Sequence, residues 1–591
     1  MATNFTSDSL IVKVKETASL SAITSLQAQI GVTKVTRAPR LGIEIWQIPS
    51  GKVEETISAY INNPSIQYME RDSIITVPDV KKTSSTQENL ATITPQTTTP
   101  NDPSYPLLWG LNNTGQTGGK PDADIDAPEA WDIQTGNPNL PIGVIDSGVD
   151  YTHPDLVGNI WTNPGEIAGD GIDNDSNGYT DDVHGWDFAY GDNDPMDVDG
   201  HGTHVAGTIA GKGNNGVGVT GVAWNAKIVI LRFLDDSGSG STSNAILAIE
   251  YATANGIKLT NNSWGGGGYS QALYDAINTA GKQGGLFIAA AGNSSLNNDI
   301  IPAYPASYNL PNIISVASTT DTDGVSFFSN YGRTSVDLGA PGSEIYSTTP
   351  GGNYDTYSGT SMASPHVTGA AALVWSQNPT WTAAQVKNRL LQTTDPLSAL
   401  RRKTVSGGRL NIKNALGGST LKDNFNMGSI NLNIAPTPPG SGGAGNLTET
   451  ANAADSIKDL ADPSAGNTAN NTLNGEASED PLTGGTGADT LMLPFAESSV
   501  SPKDPLTDFG SEKIDLVSQG RAAMNAPSLF SPANSTVPTL EKGVIPVFSE
   551  ANRALAGNQA LEINSDPLRV AKAGWMADIY PGIYDAKQRG I

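Results

Sequence analysis

The chain of 591 residues contains no cysteine, so neither a disulfide framework nor a thiol nucleophile is available to it. It has no run of about 18 apolar residues, the length that spans a membrane as a helix. Lys and Arg are scarce, 34 against 60 Asp and Glu, and the formal net charge is −26. Nucleic acids and anionic membranes are therefore poor partners. The acidic excess suits a protein loaded with Ca²⁺, although a soluble acidic surface explains it as well.

The pattern of a secretory signal peptide is not visible in this sequence either. Residues 1–8 show no basic segment followed by an apolar core. We therefore expect either secretion or attachment to the cell envelope by a route independent of such a signal, or retention in the cytoplasm.

Glycine and proline are abundant, with 65 and 37 copies, which is typical of a loop-rich protein. The length predicts several domains, and shifts in composition indicate their limits. We expect a small α+β module at 1–80, a linker at 81–101, an α/β domain at 102–416, a second linker at 417–470 and an acidic β-rich domain at 471–591.

The α/β prediction depends on alternating strand-like and helical runs. Strand patterns occur at 142–145, 228–233, 286–290 and 313–317, and helical patterns at 203–211, 243–255 and 271–283. Such alternation predicts a parallel sheet with helices on both faces. In the first module we expect strands at 9–15, 43–48 and 66–77 and helices at 20–30 and 53–61.

Ser361 is the first candidate for chemistry. It lies in the sequence Gly-Thr-Ser-Met-Ala-Ser-Pro-His, which runs into the apolar stretch 367–375. This pattern predicts a serine at the N-terminus of a buried helix, where free N–H groups and the helix dipole favour developing negative charge. A serine hydroxyl needs a base, an orienting acid and an oxyanion stabiliser. Few residues are candidates for the base, since the chain has only five histidines: His153, His184, His201, His204 and His366.

Two further motifs supply the acid and the base. An apolar strand pattern ends in Asp146, and the glycine-flanked His201 enters a helical pattern that also holds His204. The three motifs, in the order Asp, His, Ser, resemble the subtilisin-like serine protease family over residues 102–416. The resemblance implies that Asp146 orients His201 and that His201 accepts the proton of Ser361. His204, one turn further, is expected to be a packing residue.

Other segments match the same family. The sequence Ala-Ala-Ala-Gly-Asn, ending at Asn293, resembles its oxyanion-hole motif. This implies that Asn293 and the backbone N–H of Ser361 stabilise the tetrahedral intermediate. Two glycine-rich segments resemble the strands that bind substrate backbone by strand addition. The residues implied in this binding are Gly238, Ser239, Gly240, Ser263, Trp264 and Gly265.

The module at 9–79 resembles the family's inhibitory propeptide, whose last strand blocks the cleft until it is cut. We expect self-cleavage between about Asp79 and Asn101. Lys81 and Lys82 lie near the start of this window, which predicts that a basic P1 residue is accepted, with Asp299 as the acidic group of the pocket. The alternative is a broad pocket that prefers apolar P1 residues.

Calcium is predicted at two places. Residues 173–182 fit the first six positions of the oxygen-ligand loop pattern, and an Asx-rich turn without metal is the alternative. The candidate ligands in this loop are Asp173, Asp175, Asn177, Tyr179 and Asp182. The family resemblance implies a second site, formed by the side chains of Asp102, Asp155 and Asn215 and the carbonyls of Val217 and Val219.

The C-terminal region contains one Gly-Gly-x-Gly-x-Asp-x-apolar-x nonapeptide at 484–492, which resembles repeats-in-toxin modules. Calcium at Asp489 and a plain β domain are the two interpretations.

The sequence as a whole predicts a calcium-dependent serine endopeptidase made as a self-processing proenzyme. Its expected partners are protein or peptide substrates and its own propeptide as intramolecular inhibitor. Competing hypotheses are an inactive relative that acts as a binding module and an acidic surface protein.

Overall fold

The computed structural model describes residues 5–77, 81–82 and 99–417, together with short strands farther along the chain. The chain divides into two compact units, residues 1–429 and 430–591. Within the described ranges, no helix is both long and apolar enough to cross a membrane.

The first module is an antiparallel sheet with two helices. In chain order its elements are β1 (Phe5–Val14), α1 (Leu20–Ile30), β2 (Lys34–Ala38), β3 (Ile43–Gln47), α2 (Val53–Tyr60) and β4 (Ile66–Thr76). The strands lie in the order β2–β3–β1–β4, over a core that includes Leu10, Val12 and Trp46. The predicted strands and helices of this module are confirmed. Strand β2 was not predicted, because Lys-Val-Thr-Arg-Ala shows little apolar alternation.

A nine-stranded sheet forms the centre of the following domain. Its first elements in chain order are β5 (Lys81–Lys82), α3 (Ala127–Trp131), β6 (Pro141–Asp146), β7 (Gly185–Asp187), α4 (His201–Ala210), β8 (Lys227–Arg232), β9 (Ser239–Ser241), α5 (Thr242–Ala254), β10 (Leu259–Asn262), α6 (Gln271–Lys282), β11 (Leu286–Ala290), β12 (Ile313–Thr319) and β13 (Leu338–Pro341). The others are β14 (Ile345–Thr349), β15 (Asn353–Ser358), α7 (Thr360–Gln377), α8 (Ala383–Gln392), β16 (Asp395–Pro396), β17 (Gly408–Arg409) and α9 (Ile412–Leu416).

The sheet order is β16–β17–β13–β12–β11–β10–β6–β8–β7, and its neighbours are parallel except for β16 and β17. Helices cover both faces, as predicted. Ile142 and Val144 of β6 belong to a core shared with α4 and α7. Ile145 belongs to the opposite core, with Val229, Leu231 and the apolar residues of α5 and α6. A strand buried on both faces has a continuous apolar sequence, which is why the pattern could be recognised.

The parallel arrangement determines where the site lies. The carboxyl ends of parallel strands meet at one edge of a sheet, and the loops there carry functional side chains. Asp146 ends β6, Ser263 follows β10, and Asn293 lies three residues after β11. The antiparallel hairpin β14–β15, which the sequence patterns did not predict, leads the chain into α7. Helix α7 is buried from Thr360 to Trp375 and begins next to these strand ends.

The described residues of the C-terminal unit are short strands that pair in parallel. One sheet contains β18 (Ser456–Lys458), β20 (Thr472–Asn474), β22 (Thr490–Met492) and β24 (Lys513–Asp515), and another contains β19 (Ser464–Ala465), β21 (Leu482–Thr483) and β23 (Leu506–Thr507). These strands agree with the predicted β-rich character of the region. The predicted calcium ligand Asp489 lies outside the described residues.

Candidate active site

An acid and an imidazole meet at the carboxyl edge of the sheet. His201 is the first residue of α4, and its Nδ1 lies 2.7 Å from Oδ1 of Asp146, at the end of β6. Both side chains are buried. A carboxylate at Nδ1 favours the tautomer whose proton is on Nδ1, which leaves Nε2 as an acceptor. Burial opposes charging of the imidazole, but the carboxylates of Asp146, Asp199 and Asp197 together outweigh it, and the pKa of His201 is raised above its ordinary value of 6.5.

A second buried carboxylate, Asp197, connects the two loops. It accepts hydrogen bonds from Ser147 Oγ at 2.9 Å, from Gly200 N at 3.0 Å and from Thr203 N at 2.9 Å. These donors adjoin Asp146 on one side and His201 on the other, so one carboxylate fixes the relative position of both. The motif analysis missed this residue, although it lies four positions before His201 in an Asp-x-Asp-Gly-His sequence.

Ser361 is the second residue of α7, as the sequence predicted. Its hydroxyl donates to the backbone carbonyl of Ser263 at 3.1 Å, and the Ser263 hydroxyl donates to the carbonyl of Ser361 at 2.8 Å. His201 Nε2 is buried and has no hydrogen-bond partner among the described residues. The expected hydrogen bond between Ser361 and His201 is therefore not made in this state, although α4 packs against α7.

Asn293 lies against the N-terminus of α7. Its Oδ1 accepts hydrogen bonds from Thr360 N and from Thr360 Oγ1, both at 2.8 Å. These bonds fix the amide plane and leave Nδ2 as the donor. Asn293 Nδ2 is 3.2 Å from the point that a Cβ on Gly359 would occupy, so a side chain at position 359 would crowd this donor. The arrangement suits stabilisation of an oxyanion.

The end of β4 lies in the cleft as a substrate would. Ile74, Ile75 and Thr76 pair antiparallel with Ser241, Gly240 and Ser239 of β9. On the other side of the strand, Thr76 N donates to Gly265 O at 3.2 Å and Gly265 N donates to Thr76 O at 3.3 Å. Val77 N donates to Gly238 O at 3.0 Å. The segments expected to bind substrate thus hold an extended backbone between them.

Two later residues of the chain pair with the strand that leads into the nucleophile. The backbone of Lys82 pairs with Tyr357, and that of Lys81 pairs with Ser358. Both partners belong to β15, which runs directly into Ser361. The chain's own backbone therefore contacts both β9 and the strand β15 that leads into Ser361.

Two of the predicted substrate residues have a different role. The Trp264 side chain is fully buried and packs against Phe233 with ring centroids 5.0 Å apart, so only its backbone can face the cleft. The Asp299 carboxylate accepts hydrogen bonds from Arg333 N at 2.7 Å, Thr334 Oγ1 at 2.8 Å and Ser335 N at 3.0 Å. Asp299 thus caps a turn, and its carboxylate is not free to pair with a basic P1 residue as predicted.

Acidic residues of β4 cap two helices of the α/β domain. Asp72 accepts from Ser243 N at 2.9 Å and from Ser243 Oγ at 2.7 Å, at the N-terminus of α5. Glu70 accepts from Gln271 N at 2.9 Å and from Ser270 Oγ at 2.8 Å, at the N-terminus of α6. Both carboxylates satisfy N–H groups that a helix leaves unpaired and complement its dipole.

The residues of the stronger predicted calcium site lie together. Asn215 Nδ2 donates to Asp155 Oδ1 at 2.8 Å, and Asn215 N donates to Asp102 Oδ1 at 3.2 Å. Val219 N donates to Asp155 Oδ2 at 2.7 Å. Asp102 and Asp155 are buried, and neither forms an ion pair with Lys or Arg within the described part of the chain. Burial raises the pKa of Asp155 to about 6. Two buried carboxylates without a protein cation fit a divalent ion.

The second predicted site differs in its ligands. Carboxylate oxygens of Glu166, Asp173 and Asp175 lie within 4.8 Å of one another. Glu166, which the loop pattern did not include, also accepts from Asn174 N at 2.9 Å. Asp182 instead accepts from Asn177 Nδ2 at 2.9 Å and from Tyr251 OH. The ring of Tyr179 packs against Trp186, Phe188 and Tyr251.

Comparisons with known proteins agree with this geometry. A model of the subtilase family matches residues 138–428, and a model of the fervidolysin N-terminal prodomain matches residues 2–72. A thermophilic serine proteinase from Bacillus sp. (strain AK1) is 35% identical over 408 residues, which cover 69% of this chain and 86% of that protein. Thermitase from Thermoactinomyces vulgaris is 39% identical over 300 residues, which cover 51% of this chain and 93% of thermitase.

A solved structure is also similar to this chain. The crystal structure of fervidolysin from Fervidobacterium pennivorans, a keratinolytic enzyme related to subtilisin, matches with a TM-score of 0.55 at 26% identity. The match covers 71% of this chain and 62% of fervidolysin. The chain belongs to the subtilase family of serine proteases and carries an N-terminal prodomain.

Proposed function

We propose that the protein is an endopeptidase that cuts extended peptide segments through an acyl-enzyme on Ser361. The observation that carries the proposal is the strand in the cleft: the chain's own backbone, at Thr76 and Val77, occupies the position of a substrate. The buried pair of Asp146 and His201 supplies the orienting acid and the base.

Each residue then has a defined task. The Ser361 hydroxyl turns from the Ser263 carbonyl to His201 Nε2, gives up its proton and attacks the scissile carbonyl. Asn293 Nδ2 and the Ser361 N–H donate to the oxyanion. The imidazolium, stabilised by Asp146, protonates the leaving amine. A water molecule activated by His201 then hydrolyses the ester and restores Ser361.

A fluorophosphonate probe tests this assignment, because only an activated serine reacts with it. The processed wild-type protein should be labelled, and Ser361→Ala should not. Ser376→Ala is a matched control, since its hydroxyl only donates to Ala372 O at 2.6 Å within α7. An unlabelled wild-type protein would favour the hypotheses of an inactive binding module or an acidic surface protein.

We further propose that the enzyme releases its own prosegment by cutting between Val77 and Lys81. Thr76 and Val77 bind the segments at Gly265 and Gly238, and Lys81 and Lys82 pair with β15, which leads into Ser361. The proposed parts are a prosegment at 1–80, a linker at 81–101, a protease domain at 102–416, a second linker at 417–470 and a C-terminal domain at 471–591.

Sequencing the N-terminus of the mature protein tests the cleavage position. A start at Asp79 is expected, because Val77 lies one residue before the nucleophile in the register of the cleft, and Ser361→Ala should remain full-length. A start at Thr83 would place Lys82 at P1 and contradict the register. Since Lys82 pairs beyond the nucleophile and Asp299 caps a turn, the alternative of a broad, apolar-preferring P1 pocket is the one we propose.

Calcium dependence is the last part of the proposal. Asp102, Asp155 and Asn215, with the carbonyls of Val217 and Val219, would hold one ion. Glu166, Asp173 and Asp175 would hold another. Bound Ca²⁺ would offset the charge of these carboxylates and cross-link the loops that carry them.

A further inference from the structure

The substrate path passes a carboxylate that the proposed mechanism does not use. We infer that Asp199 selects a basic residue at the P2 position of the substrate. This inference rests on the proposed function, because it takes the strand in the cleft as the path of a substrate. The supporting observations are the register of that strand, the surroundings of Val77 and the unpaired oxygen of Asp199.

The register identifies the subsite. Thr76 pairs with Gly265, and Val77 N donates to Gly238 O. An extended substrate that continues this antiparallel register places its next residue opposite Ser263. The carbonyl of Ser263 accepts the Ser361 hydroxyl at 3.1 Å, so that next residue lies at the nucleophile. The Val77 position is therefore one residue before it, which is P2.

The Val77 side chain and the Asp199 carboxylate approach the same point. A Cβ on Gly238 would lie 2.9 Å from Val77 Cγ2 and 3.5 Å from Asp199 Oδ2. Gly238 has no side chain, so nothing of its own separates the two groups. A lysine or arginine at this position is longer than valine and can extend along Gly238 to the carboxylate.

Asp199 is available for such a pair. Its Oδ1 accepts from His201 N at 3.2 Å, while Oδ2 has no hydrogen bond or ion pair with any described residue. The side chain is half-buried. Arg232, which is anchored beside the substrate loop, is already paired with Asp187 at 3.2 Å and with Asp236 at 2.5 Å. The Asp199 carboxylate can therefore form an ion pair with a basic side chain of the substrate.

The prosegment itself cannot form this ion pair, because its residue at the P2 position is Val77. A prosegment that leaves the carboxylate unpaired is bound less tightly there than a substrate with lysine would be. This difference favours exchange of the cleaved prosegment for a basic-P2 substrate. Val77→Lys in the full-length chain should accordingly slow the release of the prosegment after cleavage.

Peptide pairs test the inference. Lysine is compared with norleucine, which has a similar length and no charge, at each of P1 to P4 in otherwise identical peptides. For the processed enzyme we expect kcat/KM to favour lysine roughly fivefold at P2 only, the size of a partly exposed ion pair. Asp199→Asn should reduce that ratio to about one. Glu129→Gln, which removes a charge from α3, should leave the ratio unchanged.

The outcomes separate the two proposals. Cleavage of the norleucine peptides with no lysine preference at P2, or a preference that Asp199→Asn retains, overturns the role of Asp199 and leaves the protease assignment intact. Absence of all cleavage contradicts the proposed function instead. If Asp199→Asn does not fold, the wild-type ratio is measured against salt, since an ion pair of this kind weakens with ionic strength. A ratio that does not change between low and high salt overturns the inference.

Discussion

At the scale of single residues, the proposed mechanism separates groups that would touch the reacting atoms from groups that hold them. We assign Asn293 to the first kind, because its Oδ1 is occupied by Thr360 and Nδ2 is the donor of its amide. Asp197 belongs to the second, because its bonds run only to neighbours of Asp146 and His201. Substitutions of the two kinds should have different kinetic signatures.

Asn293→Ala should lower kcat by about 100–1000-fold with little change in KM, because its donor is needed chiefly in the transition state. Steady-state kinetics on a peptide with a neutral P2 residue measure this. Asn139→Ala, at an exposed turn, is the control and should behave as the wild type. An equal rise in KM with constant kcat would instead indicate a role in ground-state binding.

The acid limb of the pH profile should reflect the raised pKa of His201. The neutral imidazole is the active form, so kcat/KM should fall as the pH drops through a value above 6.5. The negative charge of Asp199 contributes to the raised pKa. Asp199→Asn should therefore move the acid limb to lower pH. If the pH at which kcat/KM falls on the acid side stays the same or rises in Asp199→Asn, the contribution of Asp199 to the pKa of His201 is contradicted, whatever the P2 preference.

At the scale of elements, the prosegment is held by more than its strand in the cleft. Asp72 and Glu70 cap α5 and α6, two helices that lie side by side on one face of the sheet. Removing a buried acceptor leaves the N–H of Ser243 or Gln271 unsatisfied, which costs about 1–3 kcal/mol.

Asp72→Ala in the uncleaved Ser361→Ala proenzyme should therefore lower the free energy of unfolding by about 1–3 kcal/mol, measured as a lower denaturant midpoint. Glu55→Ala is the control, because its carboxylate is exposed and pairs only with the exposed Lys52. Equal effects of the two variants would show that the helix cap at α5 contributes nothing specific.

The same elements show what sequence patterns could predict. Strands β6, β8 and β11 are apolar runs buried on both faces, so their limits were predicted closely. The β14–β15 hairpin, rich in Tyr, Thr and Ser, has no such run and was missed. The caps at α5 and α6 were missed because Asp72 and Ser243 are 171 positions apart.

The site shows a similar division. Asp146, His201, Ser361 and Asn293 could be predicted because each lies in a short motif next to a strand end or a helix start. Glu166 joins Asp173 and Asp175 only through the path of a loop, which no local pattern encodes. Asp299 was misassigned because its five-donor turn at residues 333–335 is distant in sequence.

At the scale of the whole molecule, bound calcium would offset part of the acidic excess. Removing it with EGTA should lower the melting temperature by a few degrees and reduce activity in parallel, since a ligand at about 100 times its Kd contributes about 2.7 kcal/mol. Asp155→Asn should have a lower melting temperature from the start and respond less to EGTA. An unchanged melting temperature in EGTA would remove the calcium proposal and leave the serine chemistry untouched.

The double-sided backbone pairing in the cleft has a consequence for target choice. Thr76 and Val77 reach their partners on β9 and at Gly265 only as fully extended chain, with amides pointing in both directions. A peptide in a helix or a paired strand of a native fold has already used those amides. Intact globular proteins must therefore open a stretch of several residues before they can be cut, and digestion rates should track local unfolding more closely than surface exposure.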